Sequence, residues 1–241
     1  MFPIVQVAGI HDQAEADMLI ERGVDWAGFP LRLSVKREDI SEDDAGRVMR
    51  TVEPPKRAVL ITYLHTAEAI VALCRKLGTS TIQLHGDIPE REVVRVKEHI
   101  PDAYIIKSLV VRPGNLETLR RLMTRFTPYV DGFITDTFDP ATGACGATGK
   151  THDWIVSRQL VRLSQKPVIL AGGLTPENVG RAIREVLPAG VDAHTGLEGP
   201  DGRKDPDKVS RFVSEARAAF AANGIVRTPP KKTPIRPATT G

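Results

Sequence analysis

The chain has 241 residues, 41% hydrophobic and 26% charged, with two cysteines and a formal net charge of +3 at pH 7. That length suits one large α/β domain or two small ones, and the composition is that of an ordinary globular protein with a sizeable core. No apolar stretch approaches the roughly 18 residues that span a bilayer, and two cysteines make no disulfide framework.

The N-terminus lacks a basic region ahead of an apolar run, so a cytoplasmic location without membrane association is expected. The positive balance belongs to one end. Residues 224–241 hold Arg227, Lys231, Lys232 and Arg236 with no acidic residue, and without these four charges the body sits near −1. Such a body gives no support for nucleic-acid binding.

In chain order, β-branched runs predict strands over 4–7, 26–29, 58–63, 81–84, 104–109, 132–135, 168–170 and 191–193. Helical spacing falls between them, over 13–22, 67–77, 89–99, 116–126, 153–163, 176–186 and 206–220. In the last of these, Val209, Phe212, Val213, Ala216 and Phe220 share one face. Strand and helix alternating throughout predicts parallel sheet with crossover helices. Eight such units in about 220 residues are the size of a (β/α)8 TIM barrel. The alternative is a doubly wound open sheet. It would carry a glycine fingerprint after its first strand, where this chain has only Ala8-Gly9-Ile10-His11. The expected organisation is a barrel over 1–222 and a disordered, basic, proline-rich tail over 223–241.

In a barrel the chemistry belongs to the C-terminal ends of the strands. Near the seventh strand the chain reads Leu170-Ala171-Gly172-Gly173-Leu174-Thr175-Pro176-Glu177-Asn178. The strand stops at two glycines, and a helix is predicted to follow with Thr175 as N-cap and Pro176 in its first position. Close backbone approach and free amides favour an anion there. With Thr195-Gly196 after the eighth strand, these loops are the expected phosphate cradle. Gly143 to Thr151 adds flexible backbone and Lys150. That stretch falls short of a P-loop, because the position six before Lys150 is Ala144.

Asp136, at the end of an apolar strand, is the candidate general acid, or else a cap on the next loop through Thr137. Arg32, Lys36 and Arg37 either clamp a carboxylate or form a solvated basic loop. His85 and His194 end strands and are read as proton carriers or as structural histidines. Asp39, Asp43 and Asp44 are read as solvated charges. No HxxxH or CxxC pattern predicts a metal site.

Together these residues resemble the phosphoribosylanthranilate isomerase family, from Val5 to about Phe220. The resemblance rests on Val24-Asp25-Trp26-Ala27-Gly28-Phe29, Ile82-Gln83-Leu84-His85-Gly86 and Asp136-Thr137. It also rests on 147–154, on 170–179, and on Gly196-Leu197-Glu198 with Gly202-Arg203-Lys204-Asp205. It implies a cofactor-free Amadori rearrangement in tryptophan biosynthesis, acting on a phosphorylated small molecule as a monomer or homodimer; the alternatives are a paralogue acting on a different phosphorylated sugar or amine, or a non-catalytic phosphometabolite-binding barrel. Asp136 matches the family's acid, and Gly149, Gly172, Gly173, Thr195 and Gly196 match its phosphate loops.

The family's first strand usually reads Lys-Ile-Cys-Gly, with the cysteine as general base. Here it is Gln6-Val7-Ala8-Gly9, and alanine accepts no proton. The resemblance therefore implies a relocated base, with Cys145 and His194 as candidates. The family's Ser-Pro-Arg after strand two has become Ser34-Val35-Lys36, with Arg32 and Arg37 nearby.

Overall fold

Eight parallel strands close into a barrel in the computed structural model, which describes residues 3–33, 38–137 and 153–224. The strands are β1 (Ile4–Ala8), β2 (Trp26–Leu31), β3 (Arg57–Thr62), β4 (Thr81–Leu84), β5 (Tyr104–Val111), β6 (Gly132–Thr137), β7 (Val168–Leu170) and β8 (Gly190–Ala193). The helices are α1 (Gln13–Glu21), α2 (Glu42–Met49), α3 (Ala67–Leu77), α4 (Glu90–His99), α5 (Leu116–Phe126), α6 (Trp154–Leu163), α7 (Val179–Val186) and α8 (Pro206–Ala222). Spatial order follows chain order, and β1 closes the ring by pairing with both β2 and β8. No described helix is long and apolar enough to cross a membrane.

Most boundaries move by a residue or two and α2 lies where the pattern predicts no helix; two of the differences have a plain physical reason. β6 continues through Asp136 and Thr137, because its ladder with β5 holds beyond the apolar run. A polar side chain at a barrel mouth costs nothing in backbone pairing. The second difference is α7, whose regular turns start at Val179 rather than at 176. The Thr175 carbonyl accepts from the amides of both Asn178 and Val179, so 175–178 form a separate turn. The N-cap is Asn178, which corrects the assignment to Thr175.

Alternation along the strands separates two layers. Outward residues such as Val5, Phe29, Leu60, Ile105 and Phe133 pack with helix side chains including Phe126, Phe212 and Phe220. Inward residues Ile4, Trp26, Val59, Ile61, Ile106, Ile134 and Ile169 form the barrel's own core. At the N-terminal end of the strands the Arg57 guanidinium lies 4.8 Å from the Tyr104 ring and 5.9 Å from that of Trp26. Those two rings meet edge to face at 5.5 Å, which plugs the barrel floor. Toward the C-terminal ends the inward positions turn polar, with Gln6, Gln83, Ser108, Asp136 and Asp192. That gradient along the barrel axis places the chemistry at the C-terminal mouth.

Candidate active site

One pole of the mouth forms at β4, β5 and β6. The Thr137 amide donates to Asp136 Oδ1 at 2.7 Å. The other carboxylate oxygen lies 3.6 Å from His85 Nδ1. His85 is buried, its Nδ1 is 3.1 Å from Ser108 Oγ, and its ring sits 4.6 Å from that of Tyr63. The expected acid and one expected histidine thus meet, because β4 and β6 flank β5 and alternation turns all three side chains inward. Lys107, on the outer face of β5, steadies this corner from behind. Its ammonium donates to the carbonyls of Leu84 at 3.3 Å and Gly86 at 3.0 Å, the residues on either side of His85. Burial pushes that amine down to about 8.

The second pole lies where β8 meets β1. His194 Nε2 is 3.3 Å from Glu198 Oε1 and 3.9 Å from Asp39 Oδ2, and the side chain keeps 20% of its surface exposed. A methyl group built on Gly9 would lie 2.1 Å from His194 Nε2. The imidazole therefore occupies the space above the residue that follows Ala8, where any side chain would expel it.

Behind it, the sealed Lys204 ammonium is 3.0 Å from the same Glu198 oxygen. The Lys204 backbone amide donates to Glu15 Oε1 at 2.6 Å, and His11 meets Glu15 Oε2 through its amide and ring nitrogen. Burial raises the Asp39 carboxyl above the ordinary range. His11 and Lys204 oppose that rise, and the neighbouring carboxylates of Glu198 and Glu15 reinforce it. Asp39 is therefore part of this cluster, which corrects its reading as a solvated charge. Asp43 and Asp44 do lie exposed on α2.

Between the poles stand the loops after β7 and β8. Gly172 and Gly173 adopt φ of +105° and +63°. Asn178 pins their turn, accepting from the Thr175 amide at 2.9 Å and donating to the Gly173 carbonyl at 2.9 Å. Gly196 lies so close to this turn that a Cβ there would stand 2.0 Å from the Leu174 carbonyl oxygen. A short 3-10 turn, Thr195–Leu197, presents the second loop beside the first. Two chain segments with amides at helical starts are thereby brought together, the arrangement an anion favours.

Arg32 takes another direction. Its guanidinium pairs with Glu42 on α2, its amide donates to Glu38, and the Arg32 contact holds the Glu42 carboxyl down at about 2. Lys36, Cys145 and Gly149 lie outside the described residues, as does the tail beyond Gly224.

Asp192, Glu198 and Lys204 join the site without having been assigned a role in it, and Asp39 after having been read as a solvated charge. Asp192 had a readable signal, an acid inside the run Val191-Asp192-Ala193, two residues before His194 and so on the same face. Asp39 had none, since only the β2–α2 connection's path brings it to β8.

The family model for N-(5'phosphoribosyl)anthranilate (PRA) isomerase matches residues 5–215. N-(5'-phosphoribosyl)anthranilate isomerase 2 of Methanosarcina mazei is 39% identical over 218 residues, covering 90% of this chain and 95% of that protein. The crystal structure of phosphoribosyl anthranilate isomerase from Thermotoga maritima superposes with a TM-score of 0.74 at 28% identity, over 90% of this chain and all of that one. A PRA isomerase solved in complex with reduced 1-(o-carboxyphenylamino)-1-deoxyribulose 5-phosphate gives a TM-score of 0.74 at 26% identity, with 90% of this chain and 100% of that one covered.

Proposed function

The chain belongs to the N-(5'-phosphoribosyl)anthranilate isomerase family, and on that premise we propose that its barrel mouth carries out the Amadori rearrangement with Asp136 as general acid and His194 as general base. Asp136 protonates the furanose ring oxygen, the C1–O bond breaks, and the amine lone pair forms the C1=N bond of an iminium. His194 then takes the proton from C2, the C–H electrons form the C1=C2 bond, and the C1=N π pair returns to nitrogen, giving an enolamine that tautomerises to the 1-deoxyketose. Atoms balance without a cofactor.

The observation that carries this reading is the imidazole lying on Gly9, directly after Ala8. It brings a group able to accept a proton next to an alanine that has none to offer. Glu198 and Asp39 stand where the imidazolium would form, and opposite charge favours that product of proton transfer. The acid stands two strands away on β6, so acid and base approach the sugar from different sides. The glycine loops at Gly172, Gly173, Thr195 and Gly196, together with Gly149, hold the phosphate. With Arg32 committed to Glu42, Lys36 is the basic residue proposed for the carboxylate of the amine.

The test is isomerisation by single variants. D136N and H194A are each expected to lower kcat by about 10²–10⁴, the usual worth of a general acid or base. Full activity in H194A, with loss in C145A instead, overturns the assignment of the base. Growth of a strain lacking the tryptophan-pathway isomerase on the intact chain tests the activity itself. The protein is proposed as a monomer or homodimer in the cytoplasm, a reducing setting with which the buried free thiol of Cys74, pushed up to about 12 by burial, accords. Sedimentation distinguishes the two assemblies.

A further inference from the structure

Among the described residues, two buried acceptor atoms in the polar half of the barrel have no hydrogen-bond partner, Gln6 Oε1 and Asp192 Oδ1. These two belong to registered partners on β1 and β8, and both side chains turn inward. A run of side chains leads away from them across the barrel. Gln6 Nε2 donates to Gln83 Oε1 at 3.1 Å, and Gln83 Nε2 donates to Ser108 Oγ at 3.4 Å. Ser108 in turn meets His85, beside Asp136.

With its nitrogen donating to Gln83, Gln6 leaves its carbonyl oxygen unpaired on the strand next to β8, where Asp192 Oδ1 is unpaired as well. Two unsatisfied buried acceptors on paired residues are an unfavourable arrangement, and a single hydrogen between them removes it.

We propose that Asp192 is a neutral carboxylic acid that donates its Oδ1 hydrogen to Gln6 Oε1 and offers Oδ2 to the mouth as an uncharged acceptor for a hydroxyl or N–H of the substrate. Asp192 is half-buried, at the level of the barrel where the inward residues are polar and above the floor plugged by Trp26, Arg57 and Tyr104. The charged groups around it agree. Burial, and then the Asp136 charge, push its carboxyl well above the ordinary range. The Gln6 side chain and then Lys204, in the loop before α8, act the other way, but the Gln6 nitrogen is bonded to Gln83 and the Lys204 ammonium to Glu198. This role for Asp192 rests on the isomerase reading, whereas its protonation does not.

The experiment has two arms. In the first, infrared difference spectra of the unliganded protein at neutral pH compare wild type with D192N and Q6K. A protonated-carboxyl band that disappears in both is expected, since asparagine has no such group and lysine at position 6 supplies a donor and a charge that ionise Asp192. In the second, asparagine reproduces the neutral pattern, its amide donating to Gln6 and its oxygen facing the mouth. D192N is therefore expected to lose less than about tenfold in kcat/KM and D192A clearly more, mainly through KM.

Absence of the band in wild type, or a fall of about 10² in kcat for D192N, overturns the proposal and requires an ionised Asp192 with both glutamine amides turned round. If the isomerase reading itself is wrong, wild type turns over no substrate while the band remains.

Discussion

Gly9 shows how a single residue constrains this site through the space it leaves empty. Its φ is +79°, and the nearest atom to a Cβ there is the Nε2 of the proposed base. G9A therefore combines two effects of different size. Left-handed backbone at alanine costs roughly 1–2 kcal/mol, which a barrel of this size tolerates. Displacement of the imidazole is the larger effect on function. The expected outcome is a folded protein, by urea denaturation, with kcat reduced about as far as in H194A, roughly 10² or more. A G9A variant of normal kcat would show that His194 is not held where proton transfer occurs. Glycine at this position was visible in the chain. That it makes room for a histidine 185 residues later was not, because the β1–β8 contact exists only in the closed ring.

The elements carry their own logic. β5 illustrates it, with Lys107 outside and Ser108 inside, two polar residues in one strand serving opposite layers. The buried amine titrates at about 8 in place of 10.5. Its folded value is depressed, so the unfolded chain binds the extra proton between those values and stability rises with pH across that window. Unfolding free energy should increase between pH 8 and 10.5 by at most about 3 kcal/mol, an increment absent from K107M. Urea midpoints over a pH series check this, and equal slopes in both proteins would contradict it.

α7 teaches the complementary point. Pro176 and Glu177 carry the usual marks of a first helical turn. Yet the Asn178 side chain spends its hydrogen bonds on Thr175 and Gly173, closing the glycine turn first, and regular helix waits until Val179.

The whole molecule depends on closing the ring at β1 and β8, and α8 fastens that seam. Arg217 reaches from α8 to the Pro3 carbonyl at 2.7 Å, the Gly23 carbonyl and Asp25 Oδ2, while Asp25 also accepts from the Val5 amide. Hydrogen bonds to charged groups in partly buried surroundings are worth about 1.5–3 kcal/mol. R217A should accordingly lose about 2 kcal/mol of stability while keeping the mouth intact, seen as a lower urea midpoint with unchanged KM. A change in KM instead would mean that the seam transmits to the site.

Eight strands and seven of the eight helices, all but α2, were legible from periodicity, because local alternation of apolar residues is itself what forms strands and amphipathic helices. The strand ends were legible too, and with them Asp136, His85, the paired glycines and His194. A barrel assigns function by position along the strand. Tertiary structure alone decided which of these residues meet. It paired His85 with Asp136 across β5, turned Arg32 away to Glu42, drew Asp39 and Glu198 around His194, and left Gln6 facing Asp192. Those contacts join residues up to 186 positions apart, as with Gln6 and Asp192, and their geometry follows from the register and curvature of a closed sheet, quantities that no local pattern contains.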